Sequence, residues 1–398
     1  MNVTVSVKGR FHAFNLAREL QRLSGLRRLI TSYPVFETVK YGIDRDKIRS
    51  LPVIEVVERS WRALPPSLKR ACDLRYLFCE RFDRAAADLV PEDSDIFVGW
   101  SSFSLHSLRR SKRNGAKTVL ERGSSHMLYQ CDIMREEYER FGIKGELTHP
   151  RIVEKELLEY EEADYISVPS AYVKQTFLDR GFSAARLIHV PYGVDLAHFR
   201  PVPKRDATFR IVHCGGLTLR KGVHYLLQAF SELNLSDAEL WLIGSVAPEI
   251  KPFLARYASK RIRHLGPFPQ ASLYQYYSQG SVFCLASIEE GLAMVQAQAM
   301  VCGLPVICTT NTGGTDIVRD GIDGYVVPIR DVRSLKEKIL HLYENPDVCR
   351  AMGESARQRV AGGFSWTDYG DRMYEHYRRI LSPSVHTARP ETAVAQSG

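Results

Sequence analysis

Residues 282–314 constrain the fold more than any other stretch of this 398-residue chain. Val282-Phe-Cys-Leu-Ala286 is a short unbroken apolar run closed by polar residues, the pattern of a strand buried on both faces. An acidic loop around Glu290 follows. From Leu292 to Val301 almost every position is apolar, which predicts a helix, starting near Ala293, that is buried nearly all round. Gln296 and Gln298 interrupt it, and a buried amide needs a partner. A second apolar strand, Pro305 to Cys308, then runs toward Gly313-Gly314. In a parallel sheet the N-terminus of such a helix points out of the carboxyl edge, where its free N–H groups suit a phosphate. Glu290, just before it, is either a solvated loop carboxylate or an acceptor for sugar hydroxyls beside that phosphate.

The same alternation fills the second half. Strands are predicted near 210–213, 239–243, 262–265, 282–285, 305–308 and 325–327, with helical segments between them, a spacing that implies a parallel, doubly wound sheet. The first βα turn is Cys214-Gly215-Gly216-Leu-Thr-Leu-Arg220-Lys221-Gly222, ahead of a helix from Val223 to Leu233. Adjacent glycines let backbone approach a ligand, and Lys221 adds positive charge at a helix start. Two anion-suited helix starts in one sheet argue more strongly than either alone.

The first half is built in the same way. Val3 to Val7 opens it as a strand, a tight turn at Gly9 follows, and a helix carries Ala13, Leu16, Ala17, Leu20 and Leu23 on one face. Further strands are expected at 29–33, 53–57, 96–100, 118–120, 165–168 and 187–190, with helices near 66–88, 103–113, 128–142, 150–163 and 172–180. The strand at 118–120 runs into Glu121-Arg-Gly-Ser-Ser-His126, polar groups where ligands bind in an α/β sheet, so His126 is a candidate substrate contact. Residues 196–207, with Pro201 and Pro203, read as a linker. This divides the chain into domains at 1–195 and 208–365, an amphipathic segment 366–381 long enough to pack back across the first domain, and a tail 382–398 without apolar periodicity.

Several classes are excluded. No run of about 18 apolar residues is present, and the opening strand has no basic leader, so a cytoplasmic location is expected. Eight scattered cysteines form no C-x-x-C pair, which fits a reducing compartment and no structural metal. The net charge of +8 fits an anionic membrane surface or a phosphate-rich ligand. Nucleic acid ranks low, because basic segments with interleaved aromatics are absent. Arg10, Arg18, Arg22, Arg27 and Arg28 make the N-terminal end basic, either as a solvated face or as contacts to phosphate or lipid.

Together, Val190-Pro-Tyr-Gly-Val-Asp195 with Phe199, Gly215 to Gly222, Glu290 to Pro305 and Gly313-Gly314 resemble the glycosyl transferase group 1 family, also called family 4. The resemblance covers all but the tail. It implies the GT-B fold, two Rossmann-like domains facing a central cleft with a C-terminal helix crossing back, and sugar transfer with retention from a nucleotide-sugar donor to a glycan or lipid-linked acceptor. It implies no cofactor beyond the nucleotide-sugar as co-substrate, and no metal. Residue by residue, Glu290 matches the first glutamate of the family's E-x7-E motif, on the donor sugar. Gln298 stands where the second, on the ribose, is expected. Lys221 matches the lysine on the diphosphate, His126 the first-domain histidine near the reacting sugar, and Gly9 the glycine turn beside donor and acceptor. Backbone N–H groups of Leu292, Ala293 and Met294 are implied at the phosphates, beside Gly215 and Gly216.

Two departures stand out. The family often has arginine at the position of Gly216, leaving one diphosphate cation missing unless Arg220 reaches in. Gln298 is neutral, and its hydrogen bond to a ribose hydroxyl is weaker than a carboxylate's. The implied setting is synthesis of a surface polysaccharide or glycolipid, with peripheral contact to the inner face of an anionic membrane. The competing readings are a nucleotide-sugar epimerase or phosphorylase of the same fold and a non-catalytic nucleotide-sugar-binding paralogue.

Overall fold

The computed structural model describes residues 1–65, 68–69 and 73–382. Two parallel sheets form its two domains. The first has seven strands, β1 (Val3–Val7), β2 (Leu26–Thr31), β3 (Ile48–Ser50), β4 (Ile96–Trp100), β5 (Lys117–Glu121), β6 (Tyr165–Val168) and β7 (Leu187–His189). Their spatial order is β3-β2-β1-β4-β5-β6-β7. The second sheet contains β8 (Phe209–Cys214), β9 (Ala238–Ile243), β10 (Ile262–Gly266), β11 (Val282–Leu285), β12 (Val306–Thr309) and β13 (Gly324–Val327), in the order β10-β9-β8-β11-β12-β13. In each sheet the chain winds outward both ways from its first strand. The crevice where the strand order reverses, above β1/β4 and above β8/β11, is where such sheets bind ligands.

The central strands are buried throughout because helices cover both faces. All five residues of β1 and of β4, and all four of β11, are buried. The segment 53–57, expected as a strand, is instead part of the helix Pro52–Arg62. Pro52 sits in its first turn, where a missing N–H costs nothing. Its inward side is Ile54, Glu58 and Trp61, at helical spacing, with Glu58 bonded to Lys8 at 2.7 Å and Trp61 against Phe78. The long helix expected over 66–88 is described as Arg75–Ala87, and the tail from residue 383 lies outside the described residues.

Between the domains the chain crosses at two segments that touch. The Val194 N–H donates to Phe364 O at 2.8 Å, and a Cβ on Gly193 would stand 2.6 Å from the Ser365 carbonyl. The helix Trp366–Leu381, capped by a reciprocal Ser365–Asp368 box, then lies along the first-domain helix Ala13–Arg22. Arg22 pairs there with Asp371. A third connection is less obvious from sequence. The helix Met127–Arg140 leaves the first domain and buries Ile133 and Met134 in the second domain's core. Its Glu137 is fully buried between His224 (2.9 Å) and Arg330 (2.7 Å).

Candidate active site between the two sheets

The loop after β11 carries two adjacent carboxylates that serve different partners. Glu290 Oε1 lies 2.5 Å from Arg220 Nη1 and 2.6 Å from Lys221 Nζ, both on the loop after β8. Burial works to raise the Glu290 pKa, but the two cations outweigh it and hold the carboxyl below its ordinary value. Glu289 faces the other domain. Its Oε1 accepts from Ser124 Oγ (2.6 Å), the Ser125 N–H (3.0 Å) and Ser125 Oγ (2.7 Å) in the loop after β5. Arg220 joins the two, donating to the Glu289 carbonyl at 3.0 Å.

Glycines make this convergence possible. Gly222 has φ +63°, and a Cβ there would sit 1.7 Å from the Ala286 carbonyl, so the first βα loop could not press against β11 with any side chain. Gly291 meets the first domain, where a Cβ would be 1.9 Å from the Gly123 carbonyl. Ser170 Oγ donates to the Gly291 carbonyl at 2.7 Å, closing the seam from a second first-domain loop. Beside it opens a cleft of about 220 Å³, lined by Gln130, Tyr138 and Thr148 of the first domain and by Thr218, Arg220 and Glu249 of the second.

Most of the expected site residues gather here. Gly215, at φ +145°, packs against the Lys221 side chain; Gly216 has ordinary φ and only Thr218 Cγ2 near its missing Cβ, at 3.7 Å. Arg220 does reach in, as far as Glu290. Leu292, Ala293 and Met294 open the helix Met294–Val301. Of the three amides expected at a phosphate, that of Ala293 is spent on the Thr312 carbonyl at 3.2 Å, a correction, because the glycine loop after β12 folds back over it. Gln298 is buried, and its Oε1 accepts from Tyr277 OH at 3.3 Å. Gln296 donates to the Thr312 carbonyl at 3.0 Å, so it is a satisfied core amide. Gly9, at φ +95°, forms the turn after β1; Ser32 Oγ accepts from its N–H and Thr31 donates to its carbonyl.

His126 departs from expectation. It caps the helix Met127–Arg140 through Nδ1, which accepts from the Leu128 N–H at 3.2 Å, and its ring packs among Tyr160, Phe177 and Phe182. Burial, with Arg180 and Arg122 nearby, pushes its pKa down to about 3. The ring is an apolar packing element, and it is Ser124 and Ser125 of the same loop that meet the second domain. Sequence reasoning missed Glu289, whose only signal was being an acidic neighbour of Glu290. It also missed the buried pair His12–Glu121, 3.2 Å apart between the start of the helix Ala13–Arg22 and the end of β5, with the Tyr192 ring 4.1 Å from that of His12. In the first domain Glu80, Asp83 and His106 cluster closely enough for a metal, but Lys155 Nζ already sits 2.9 and 2.6 Å from the two carboxylates.

Two doubly wound parallel-sheet domains, an interdomain site at their carboxyl edges and a helix crossing back define the GT-B class of architecture. Residues 208–345, the core of the second domain, match the model of the family Glycosyl transferases group 1. The chain is 28% identical over 234 residues, 53% of its own length, to a GDP-mannose-dependent monoacylated alpha-(1-6)-phosphatidylinositol monomannoside mannosyltransferase of Corynebacterium glutamicum, and covers 61% of that protein. It spans a little over three fifths of the length of the first three curated relatives it matches. Among solved structures it superposes on sucrose-phosphate synthase of Thermosynechococcus elongatus with a TM-score of 0.70 at 18% identity, over 96% of this chain and 99% of that one. Alr3699/HepE of Anabaena in complex with UDP-glucose gives 0.70 at 14% identity, over 95% and 100%. At these identities the superpositions establish the fold. Among the described residues no helix is long and apolar enough to cross a membrane.

Proposed function

We propose that this protein is a retaining glycosyltransferase that moves a hexosyl group from a nucleotide-sugar to a glycan or lipid-linked acceptor, in surface polysaccharide or glycolipid synthesis on the cytoplasmic side of a membrane. One observation carries the reading. A carboxylate, Glu290, is held between two cations at the carboxyl edge of the second sheet, in a seam closed by the first domain.

In this reading the cations of Lys221 and Arg220 turn from Glu290 to the donor diphosphate and stabilise the charge that grows there as the glycosidic bond breaks. Glu290, so released, accepts hydrogen bonds from the donor sugar. The Leu292 and Met294 amides serve the phosphates, and Gln298 accepts from a ribose hydroxyl. The leaving group is neutralised by these side chains, with no metal or further cofactor required. The acceptor enters from the Gly9 side. Relatives are named for GDP-mannose and a structural neighbour holds UDP-glucose, so both donors belong in the test.

The experiment incubates the protein with radiolabelled GDP-mannose or UDP-glucose, with and without a bacterial lipid extract. Label moving into the extract, with release of nucleoside diphosphate, is the expected result. A donor sugar epimerised in the absence of acceptor would replace this reading with the epimerase one. Donor binding by calorimetry without turnover on any acceptor would leave a sensor.

A further inference from the structure

The helix Pro52–Arg62 carries, besides the inward Ile54 and Trp61, a second apolar stripe that faces outward. Val53, Val56 and Val57 recur at helical spacing and are 72%, 60% and 49% exposed, and Leu64 continues the stripe just past the helix end. The opposite side holds Glu58, tied to Lys8 at 2.7 Å, so the helix is firmly seated with its valines outward. Arg59 lies over the Tyr33 ring, 5.5 Å from its centroid, linking the helix to the 33–36 segment, where Phe36 is 66% exposed. Single exposed apolar residues are ordinary; an outward stripe with further exposed apolar residues beside it marks a surface that is covered in use.

Charge selects what covers it. Residues 1–70 hold fourteen Lys and Arg against six Asp and Glu, a net of +8, which equals the excess of the whole chain. The remaining residues are neutral on balance. Arg59, Arg62 and Lys40 flank the apolar residues with exposed side chains, paired with Glu55, Glu58 and Glu37 on their own helix or the adjoining one. The cationic ends of these pairs lie at the surface, where they can exchange a carboxylate for another anion. An outward apolar stripe with basic flanks is the composition of a helix that lies in a bilayer interface, each nearby basic residue adding to its attraction for acidic lipids.

We infer that the Val53-Val56-Val57 face of the helix Pro52–Arg62, with Phe36 and Leu64, seats the first domain on an anionic lipid bilayer. The attachment stands on exposure and charge alone and does not depend on the transferase reading. What does rest on that reading is the consequence. The helix holds the Gly9 turn through Lys8–Glu58 and through Ser32, which accepts from the Gly9 N–H and donates to Glu55. A lipid-linked acceptor would therefore enter the cleft directly from the bilayer.

Vesicle flotation of the full chain tests it, with phosphatidylcholine vesicles and with vesicles containing about one third phosphatidylglycerol, at low and physiological salt, where screening differs. The wild type is expected to float with the anionic vesicles only, and to be released by added salt. The double variant Val56→Asp/Val57→Asp, on exposed positions, is expected to lose at least tenfold in bound fraction with unchanged circular dichroism. Ile322→Asp, on the second domain, controls for generic loss of hydrophobicity and should bind as wild type. Failure of the wild type to float, or flotation of the double variant at wild-type level, overturns the inference. So does a wild-type dimer in sedimentation that the double variant abolishes, which would make a second copy the occupant. None of these readouts uses sugar transfer, so loss of the transferase reading would leave them standing.

Discussion

The Lys221 ammonium and the Glu290 carboxylate lie 2.6 Å apart and join the loops that follow β8 and β11, adjacent strands at the switch point of the second sheet. With Arg220 at 2.5 Å the carboxylate is doubly compensated. In the proposed reading a bound diphosphate competes with Glu290 for both cations.

Replacing Glu290 by Gln separates binding from chemistry. The variant keeps the shape and frees both cations, so nucleoside diphosphate should bind more tightly, by up to about tenfold, or ~1.4 kcal/mol. Transfer should fall by about 100-fold or more, because in the proposed role Glu290 is hydrogen-bonded to the reacting sugar and loses its charge. Calorimetry with UDP and GDP, alongside the transfer assay, reads both. Weaker diphosphate binding would mean that Glu290 does not hold the cations back.

Glu289 has the complementary role across the seam. Glu289→Ala strands the buried Ser125 amide, at a cost of about 1–3 kcal/mol. A lower urea midpoint, a larger radius of gyration in small-angle scattering and a reduced kcat are expected together. An unchanged scattering profile would show that the other seam contacts, Ser170–Gly291 above all, suffice to hold closure.

Acid sensitivity should trace to buried histidines. Burial brings His126 down to about 3 and His213 to about 4, from an ordinary value near 6.5. The unfolded chain therefore binds more protons than the folded one below about pH 6.5, and stability falls with pH from there toward 3. His126→Asn keeps an N-cap acceptor and removes one titrating ring. The variant should be less stable at pH 7 through lost packing, yet lose less stability between pH 7 and 4.5 in urea titrations. A slope identical to the wild type would mean that His126 is solvated and protonates freely.

How far the sequence carried depended on whether a signal was local. β1, β4, β11 and the helix Trp366–Leu381 have the bounds their periodicity implied, because apolar pattern and burial agree there. Val53–Val57 misled, since β-branched residues suggest a strand and the usual rule places a helix's apolar side inward. Its three valines face outward, and the inward residues Ile54, Glu58 and Trp61 include a charge. That Lys221 and Glu290 lie on loops after strands was legible, because the apolar strands before those loops stand out in the sequence. The roles of Glu289 and His126 were not, since which of two adjacent carboxylates turns to the other domain, and whether a loop histidine faces the cleft or an aromatic cluster, is decided by partners far away in sequence.

Gly216 offers the most direct test of whether the proposed donor diphosphate lies against the loop after β8. Its φ is ordinary, and a Cβ there meets only Thr218 Cγ2 at a normal contact distance, so a side chain fits. Gly215, one residue earlier, has φ +145° and tolerates none without strain. Gly216→Arg should place a second free guanidinium at the diphosphate, with charge-assisted bonds worth about 1.5–3 kcal/mol at best. Donor affinity is then expected to rise about tenfold or more with little change in melting temperature, whereas Gly215→Arg should destabilise the fold. Calorimetry and thermal unfolding on the two variants distinguish these outcomes. Unchanged diphosphate affinity in Gly216→Arg would place the diphosphate away from the β8 loop and remove Lys221 from its proposed role.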